Sequence, residues 1–216
     1  MAMTMQPVAP GEVAPGFALP SIAGSGIVTL DDYRGRSPLF LSLMLGLWCP
    51  FCRRQLAQLG TFEERLKDMG VESLAVVATA PENARLYFKF RPTRVPLAAD
   101  PDLSTHRAYG LPKPEPTPAF IEALDTVRVN PYGDLPEPLP LSQAGKVLQE
   151  MDGYTYTPAD QVDVEKQWPQ LKGLFMIDRT GVVRWAYVEC ATEGLAGIGK
   201  MPAAEEILEA ARQCAA

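Results

Sequence analysis

The feature that most constrains the fold is an apolar run, Leu39-Phe40-Leu41-Ser42-Leu43-Met44-Leu45, leading straight into Leu47-Trp48-Cys49-Pro50-Phe51-Cys52-Arg53-Arg54. Apolar character without alternation over that length fits a strand covered on both faces. Beyond it Leu56, Leu59, Phe62, Leu66 and Met69 recur at helical spacing, which predicts a helix over about 50–69 closed by Gly70. Both cysteines therefore fall at a strand-to-helix junction. Pro50 suits the first helical position, where the N–H it lacks has no partner in any case.

That placement has chemical consequences. A thiolate is the reactive form of cysteine, and the unpaired N–H groups and positive dipole end of a helix start favour it. The dipole contributes roughly 0.3–2 kcal/mol, about one pKa unit, so Arg53 or Arg54 is a candidate for additional help. Residues three apart on a helix lie about 5–6 Å apart at Cβ, near enough for Cys49 and Cys52 to close a small disulfide. The competing readings are half of a zinc site or a pair of inert thiols. Zinc needs about four ligands, and Cys190, Cys214 and His106 supply no second paired motif.

The rest of the chain extends a βα rhythm. Val71–Ala78 reads as a second core strand, Pro81–Phe90 as a helix, Pro96–Asp100 as a short strand and Asp102–Tyr109 as a short helix. Alternation of this kind favours a parallel sheet. An entry segment, Ala14–Tyr33, precedes it. Arg85, Lys89, Arg91 and Arg94 read as a solvated basic face. From about 111 to 170 the rhythm gives way to a proline-rich stretch in which only Ala119–Leu124 and Ala144–Met151 look ordered. Its aromatic and leucine content predicts an inserted excursion packed over the core of a single domain spanning 1–216, rather than a linker. A β-hairpin, Leu174–Asp178 with Val182–Val188, and a final helix over Pro202–Gln213 complete the chain.

A net charge of −6 with no basic block argues against nucleic acid as a partner. No apolar run approaches the ~20 residues of a membrane span. Met1–Pro10 has neither a basic nor an apolar leader region, and four cysteines with only two close together make no disulfide framework. A reducing cytoplasm is the expected setting.

Three blocks carry a resemblance to a known family: Ala14–Tyr33 with Arg34-Gly35, the Trp48-Cys49-Pro50-Phe51-Cys52 junction, and Lys172-Gly173-Leu174-Phe175-Met176-Ile177-Asp178 with Gly181-Val182-Val183-Arg184. Together they resemble the peroxiredoxin-like branch of the alkyl hydroperoxide reductase/thiol-specific antioxidant (AhpC/TSA) family. The resemblance implies an α/β thioredoxin-like fold, a central mixed β-sheet flanked by helices, here with the long proline-rich insertion. It implies a thiol peroxidase in which one cysteine attacks a peroxide, becomes a sulfenic acid and is rescued by its neighbour as a disulfide. A thiol reductant such as thioredoxin or glutathione would regenerate it, and family habit implies a homodimer. The family motif places a threonine where this chain has Gly46 and a proline where it has Ser42, if the attacking cysteine is Cys49. Anchoring on Cys52 instead puts Cys49 at the threonine. The family's arginine before the Gly-Leu-Phe strand is here Lys172.

On this reading Cys49, at the exposed edge, is the attacker and Cys52 resolves; the other anchor reverses the roles. Trp48, Pro50 and Phe51 shape the thiol pocket, and Arg53, Arg54 and Lys172 are candidates to stabilise thiolate or oxyanion. The alternatives are a thioredoxin-like protein disulfide reductase, which the intact Cys-x-x-Cys and missing threonine favour, and a redox-sensing binding module gripping a partner through 111–170. His106 reads as part of a surface helix, and Cys190 and Cys214 as ordinary thiols. Gly194–Gly199 lacks the strand–turn–helix context of a phosphate loop. No metal, flavin or nucleotide cofactor is expected.

Overall fold

The computed structural model describes residues 6–215, so the first half of the 1–10 stretch read for a leader lies outside it. In chain order the strands and helices are β1 (Ala18–Pro20), β2 (Ile27–Thr29), β3 (Leu39–Met44), α1 (Pro50–Asp68), β4 (Glu72–Val77), α2 (Pro81–Phe90), β5 (Leu97–Ala99), α3 (Ser104–Ala108), α4 (Pro118–Thr126), β6 (Arg128–Val129), β7 (Leu139–Pro140), α5 (Leu141–Met151), α6 (Pro158–Gln167), β8 (Gly173–Ile177), β9 (Val183–Val188) and α7 (Ala204–Ala215). The main sheet has five strands in the order β5-β4-β3-β8-β9. β3 runs parallel to β4, which runs parallel to β5, while β8 pairs antiparallel with both β3 and β9. The sheet is thus mixed, with β3 at its centre.

The uninterrupted apolar character of β3 has its reason in two covered faces. Phe40 and Met44 point to one side, into a core closed by Leu56, Leu59 and Phe62 of α1 and by Ile207 and Leu208 of α7. Leu39, Leu41 and Leu43 point to the other, against Leu19, Leu30, Tyr109 and Leu111. Helix α1 begins at Pro50 and ends just before Gly70, whose φ of +74° is the left-handed conformation that glycine adopts without strain. Among the described residues no helix is long and apolar enough to cross a membrane.

The 111–170 stretch is more ordered than its prolines imply. It carries α4, the β6–β7 pair, α5 and α6, and it sends Ala144 and Leu148 into the main core. Helix α6 falls where no helix is expected from the sequence. Thr157 caps it reciprocally with Asp160, and Pro158 takes its first position. The basic residues on and after α2 behave as a surface: Arg94 pairs with Glu64 at 2.5 Å between two exposed side chains, and Arg85 Nη2 donates to Ser21 and Gly24 carbonyls at 2.8 Å.

His106 departs from its sequence reading. It is fully buried on α3, where neither ring nitrogen meets good hydrogen-bond geometry and the Met44 backbone lies near. Burial pulls its pKa down to about 4, against the opposing pull of the Asp100 carboxylate. The unfolded chain binds that proton near pH 6.5, so stability is complete above about 6.5 and is lost progressively as the pH falls from there to about 4. The loss amounts to about 3 kcal/mol. Urea unfolding at pH 7 and pH 4.5 checks this: a His106→Leu variant should have a flatter pH dependence than the wild type by about 2 kcal/mol, the part of the loss reached by pH 4.5. Equal pH dependence in the two proteins would contradict it.

Candidate functional site

Strand β3 delivers the chain to a short loop, 45–49, and α1 carries it away. Cys49 is the N-cap residue, with extended backbone angles (φ −77°, ψ 113°), and Pro50 occupies the first helical position. Cys52 lies one turn in, fully buried behind Cys49, and both thiols are free. Cys49 is itself only 5% exposed, so it is not the open edge residue that its position implies. Access to it runs through a cavity of about 380 Å³ whose lining includes Cys49, Phe51, Phe120, Tyr156, Trp168 and Lys172.

The loop is held by residues distant in sequence. Gln167, fully buried at the end of α6, accepts from Gly46 N at 2.7 Å and from Trp48 Nε1 at 2.8 Å through its Oε1, and donates to the Ala78 carbonyl. Thr79 Oγ1 accepts from Leu47 N at 2.9 Å, and Cys49 N donates to the Gly46 carbonyl at 3.0 Å. Gly46 has no room for a side chain. A Cβ there would stand 2.6 Å from Trp48 Cδ1 and 3.0 Å from Gln167 Oε1. If Cys49 is the anchor, a threonine at position 46 would not fit this loop as it stands. A Gly46→Ala substitution should cost about 1–3 kcal/mol by overpacking, read as a lower urea midpoint. An unchanged midpoint would show that the loop yields freely.

Arg53 is committed elsewhere than expected. Its Nη1 donates to the Leu47 and Trp48 carbonyls at 2.7 and 3.2 Å, its Nε to Asp152 Oδ2 at 2.8 Å and its Nη2 to Gln149 Oε1 at 2.7 Å, while its guanidinium lies 4.2 Å from the centre of the Tyr154 ring. It therefore clamps the loop to the 141–154 segment and offers its charge, not its donors, to the thiols. Arg54 pairs with Asp152 Oδ1 at 2.6 Å and with Asp134 at 3.6 Å, and it too faces away from the cleft.

Lys172 stands at the site, buried just before β8, with its Nζ 6.0 Å from the Phe51 ring centre. Among the described residues its ammonium has no hydrogen bond or ion pair within bonding distance. Glu189, a buried carboxylate at the end of β9, is its counter-charge. Glu189 accepts from Lys172 N at 3.2 Å and from Gly199 N at 2.6 Å, and burial, which favours a neutral lysine, is outweighed by Glu189 and then by Tyr132 and the thiols. Ile198 and Gly199, at the end of the glycine-rich stretch, thus line the cleft. Gly199, at φ +71°, supplies a backbone donor where a Cβ would strike Leu141.

The electrostatics separate the two cysteines. Burial raises the Cys49 thiol, but hydrogen bonds from Cys52, the Lys172 charge and then Arg53 bring it down to about 7. Burial and the same bond, seen from the donor side, push Cys52 well above the ordinary thiol value. Of the two, Cys49 is the sulfur that ionises more readily. Cys190 and Cys214, half-buried and raised to about 12 and 11 chiefly by burial, are poor nucleophiles. Of the residues singled out from sequence, the structure brings Trp48, Cys49, Pro50, Phe51 and Lys172 to one cleft, puts Cys52 beneath it and leaves Arg53 and Arg54 behind the loop. Sequence reasoning missed Gln167, Glu189, Asp152 and the cis Trp168–Pro169 peptide whose residues form one wall.

A Cys-x-x-Cys pair stands at the start of the helix that follows the central strand of this mixed sheet, the arrangement of a thioredoxin-like fold. The chain belongs to the AhpC/TSA family, whose model matches residues 10–186. Over 126 residues it is 31% identical to the thiol-disulfide oxidoreductase ResA of Halalkalibacterium halodurans, a match covering 58% of this chain and 65% of that one. Over 104 residues it is 33% identical to a Mycobacterium tuberculosis protein provisionally named a peroxiredoxin, covering 47% of this chain and 63% of that one. The chain thus spans a little under two thirds of the length of either relative. Among solved structures, the peroxidoxin BcpB of Mycobacterium tuberculosis is similar at a TM-score of 0.58 over 95% of this chain and 97% of that one, with 11% identity, a likeness of fold.

Proposed function

We propose that this chain is a dithiol–disulfide oxidoreductase that reduces substrate disulfides. The observation that carries this reading is the state of the loop before Cys49: the N–H groups of Gly46, Leu47 and Cys49 are all bonded within the protein. Among the described residues no threonine hydroxyl or free arginine donor faces the thiolate, so the loop offers little to a peroxide. Disulfide exchange asks less of the site: a thiolate, a resolving thiol and an approach path. The Cys49 thiolate attacks one sulfur of the substrate, the S–S bond breaks, and the other sulfur leaves as a thiolate that takes a proton. Cys52 then loses its proton and attacks the Cys49 sulfur, releasing the second substrate thiol and leaving the Cys49–Cys52 disulfide. A thiol reductant such as thioredoxin or glutathione returns the pair to the dithiol, and a reducing cytoplasm is the proposed setting.

A second reading, thiol peroxidase, rests on one observation: the unpaired Lys172 ammonium beside Cys49 is placed to polarise an O–O bond. Insulin reduction and peroxide consumption, measured in parallel with the same thiol reductant, test the two. Insulin reduction lost in Cys49→Ser, with peroxide consumed no faster than by a free thiol, supports the disulfide reductase. Rapid peroxide consumption without insulin reduction would overturn it in favour of the peroxidase.

A further inference from the structure

The cleft contains a phenol that the reaction as described does not use. Tyr156 lines it together with Cys49 and is 51% exposed, so it stands at the mouth, whereas Lys172, 4% exposed, stands at the floor. The segment carrying it is fixed on both sides. Thr157, the next residue, is locked in its capping box with Asp160. Tyr154, two residues before, packs edge-to-face on the Tyr156 ring with centroids 6.2 Å apart, donates to Asp160 Oδ1 at 2.8 Å and carries the Arg53 guanidinium on its own ring. Among the described residues nothing accepts from or donates to the Tyr156 hydroxyl. Burial and then the nearby Cys49 sulfur hold this phenol above its ordinary pKa, so near pH 7 it carries its proton.

Thiol–disulfide exchange runs in line: the attacking, central and departing sulfurs are nearly collinear, so the departing sulfur lies on the far side of the substrate from Cys49. In this cleft the far side is the mouth. Resting on the disulfide-reductase reading above, we propose that Tyr156 is a further catalytic residue whose hydroxyl donates a hydrogen bond to the departing sulfur as negative charge develops on it. The electron pair of the broken S–S bond leaves on that sulfur. Tyr156 keeps its proton, and the released thiolate is protonated from water at the mouth. No other oxidant or reductant enters. A donor to a developing anion helps most when the leaving group bears its charge poorly, so Tyr156 favours dialkyl disulfides, the chemistry of cystine in polypeptides, over activated aryl disulfides.

The test is a leaving-group series. Reduced wild type, Tyr156→Phe and Lys146→Met are mixed with symmetrical disulfides running from dinitro-substituted diaryl to dialkyl, and the first-step rate is followed by thiol release. Tyr156→Phe keeps the ring and its packing. It should match the wild type on the dinitro-diaryl disulfide and fall about tenfold behind on the dialkyl one, the loss of one hydrogen bond to a charged group. The pH profile of Cys49 alkylation should stay within a few tenths of a unit of the wild-type profile. An equal loss for every substrate, or none, would overturn the proposal, as would a slope that steepens in Lys146→Met instead, since Lys146 also lines the cleft. A wild type that reacts with no member of the series faster than a free thiol would overturn the disulfide-reductase reading itself, and this proposal with it.

Discussion

Replacing Asp152 by alanine is expected to lower stability by about 3 kcal/mol, a fall of roughly 6–12 °C in Tm for a chain of this size. Asp152 caps the end of α5 and divides its carboxylate between two arginines, Oδ2 to Arg53 Nε at 2.8 Å and Oδ1 to Arg54 Nη2 at 2.6 Å. The Arg53 side chain is 3% exposed, and loss of the carboxylate leaves its Nε without a protein acceptor. Removing one member of such a pair leaves a buried charge uncompensated, which costs more than the pair itself contributes. The figure is set at the low end of the usual 3–5 kcal/mol range because Arg53 retains its bonds to Leu47, Trp48 and Gln149. Asp152→Asn keeps an acceptor and should lose less than half as much. Calorimetric Tm values for the three proteins check this; an alanine variant as stable as the wild type would mean that the clamp contributes nothing net. Because Arg53 holds the carbonyls just before Cys49, the alanine variant should also react more slowly at the thiol.

Lys172→Met should slow the reaction of Cys49 with iodoacetamide at pH 7 by tenfold or more, while leaving the rate at pH 10 nearly unchanged. The sign follows from the charges. Burial alone would hold the Cys49 thiol protonated, and hydrogen bonds from Cys52 with the Lys172 cation bring its pKa to about 7. About half of Cys49 is then thiolate at pH 7. Removing the cation moves the pKa to or above the ordinary value of about 8.5, where only a few per cent is ionised at neutral pH. Methionine fills a similar volume, and the backbone N–H groups of residues 172 and 199 still bond Glu189. The measurement is the alkylation rate from pH 5 to 10 with the modified residue identified by peptide mapping. A profile with an unmoved midpoint would remove Lys172 from the thiol's electrostatics.

The parts of the site that were legible in the sequence are the local ones. The β3–loop–α1 junction is written in consecutive residues, because a strand covered on both faces must be apolar throughout and because Pro50 and Gly70 punctuate the helix. Lys172 was legible through its place before the Gly-Leu-Phe strand. What escaped is held by single side chains across long separations: Gln167 lies 121 residues from Gly46, and Asp152 lies 99 from Arg53. A one-residue hydrogen bond leaves no periodicity to read. Helix α6 did leave a signal, Thr157-Pro158 with Asp160 three residues after the cap, but the surrounding prolines masked it. His106 was misplaced because α3 is too short to display a buried stripe, and its Ser, Thr and Arg neighbours look like surface. The exposure expected of Cys49 failed for a tertiary reason: the 111–170 segment walls in the cleft around it.

In the proposed reaction a Cys49 thiolate attacks disulfides and Cys52 resolves the product. The most direct test mixes reduced Cys52→Ser and Cys49→Ser proteins, in single turnover, with a symmetrical dialkyl disulfide and separately with hydrogen peroxide, followed by acid quench and peptide mass mapping. A mixed disulfide is expected on Cys49 in the Cys52→Ser protein, formed well above the rate of a free thiol. The Cys49→Ser protein should react slowly, and peroxide should oxidise neither protein faster than a free thiol. An adduct forming as rapidly on Cys52 in Cys49→Ser, or a fast sulfenate on Cys49 with peroxide and no mixed disulfide, would contradict it.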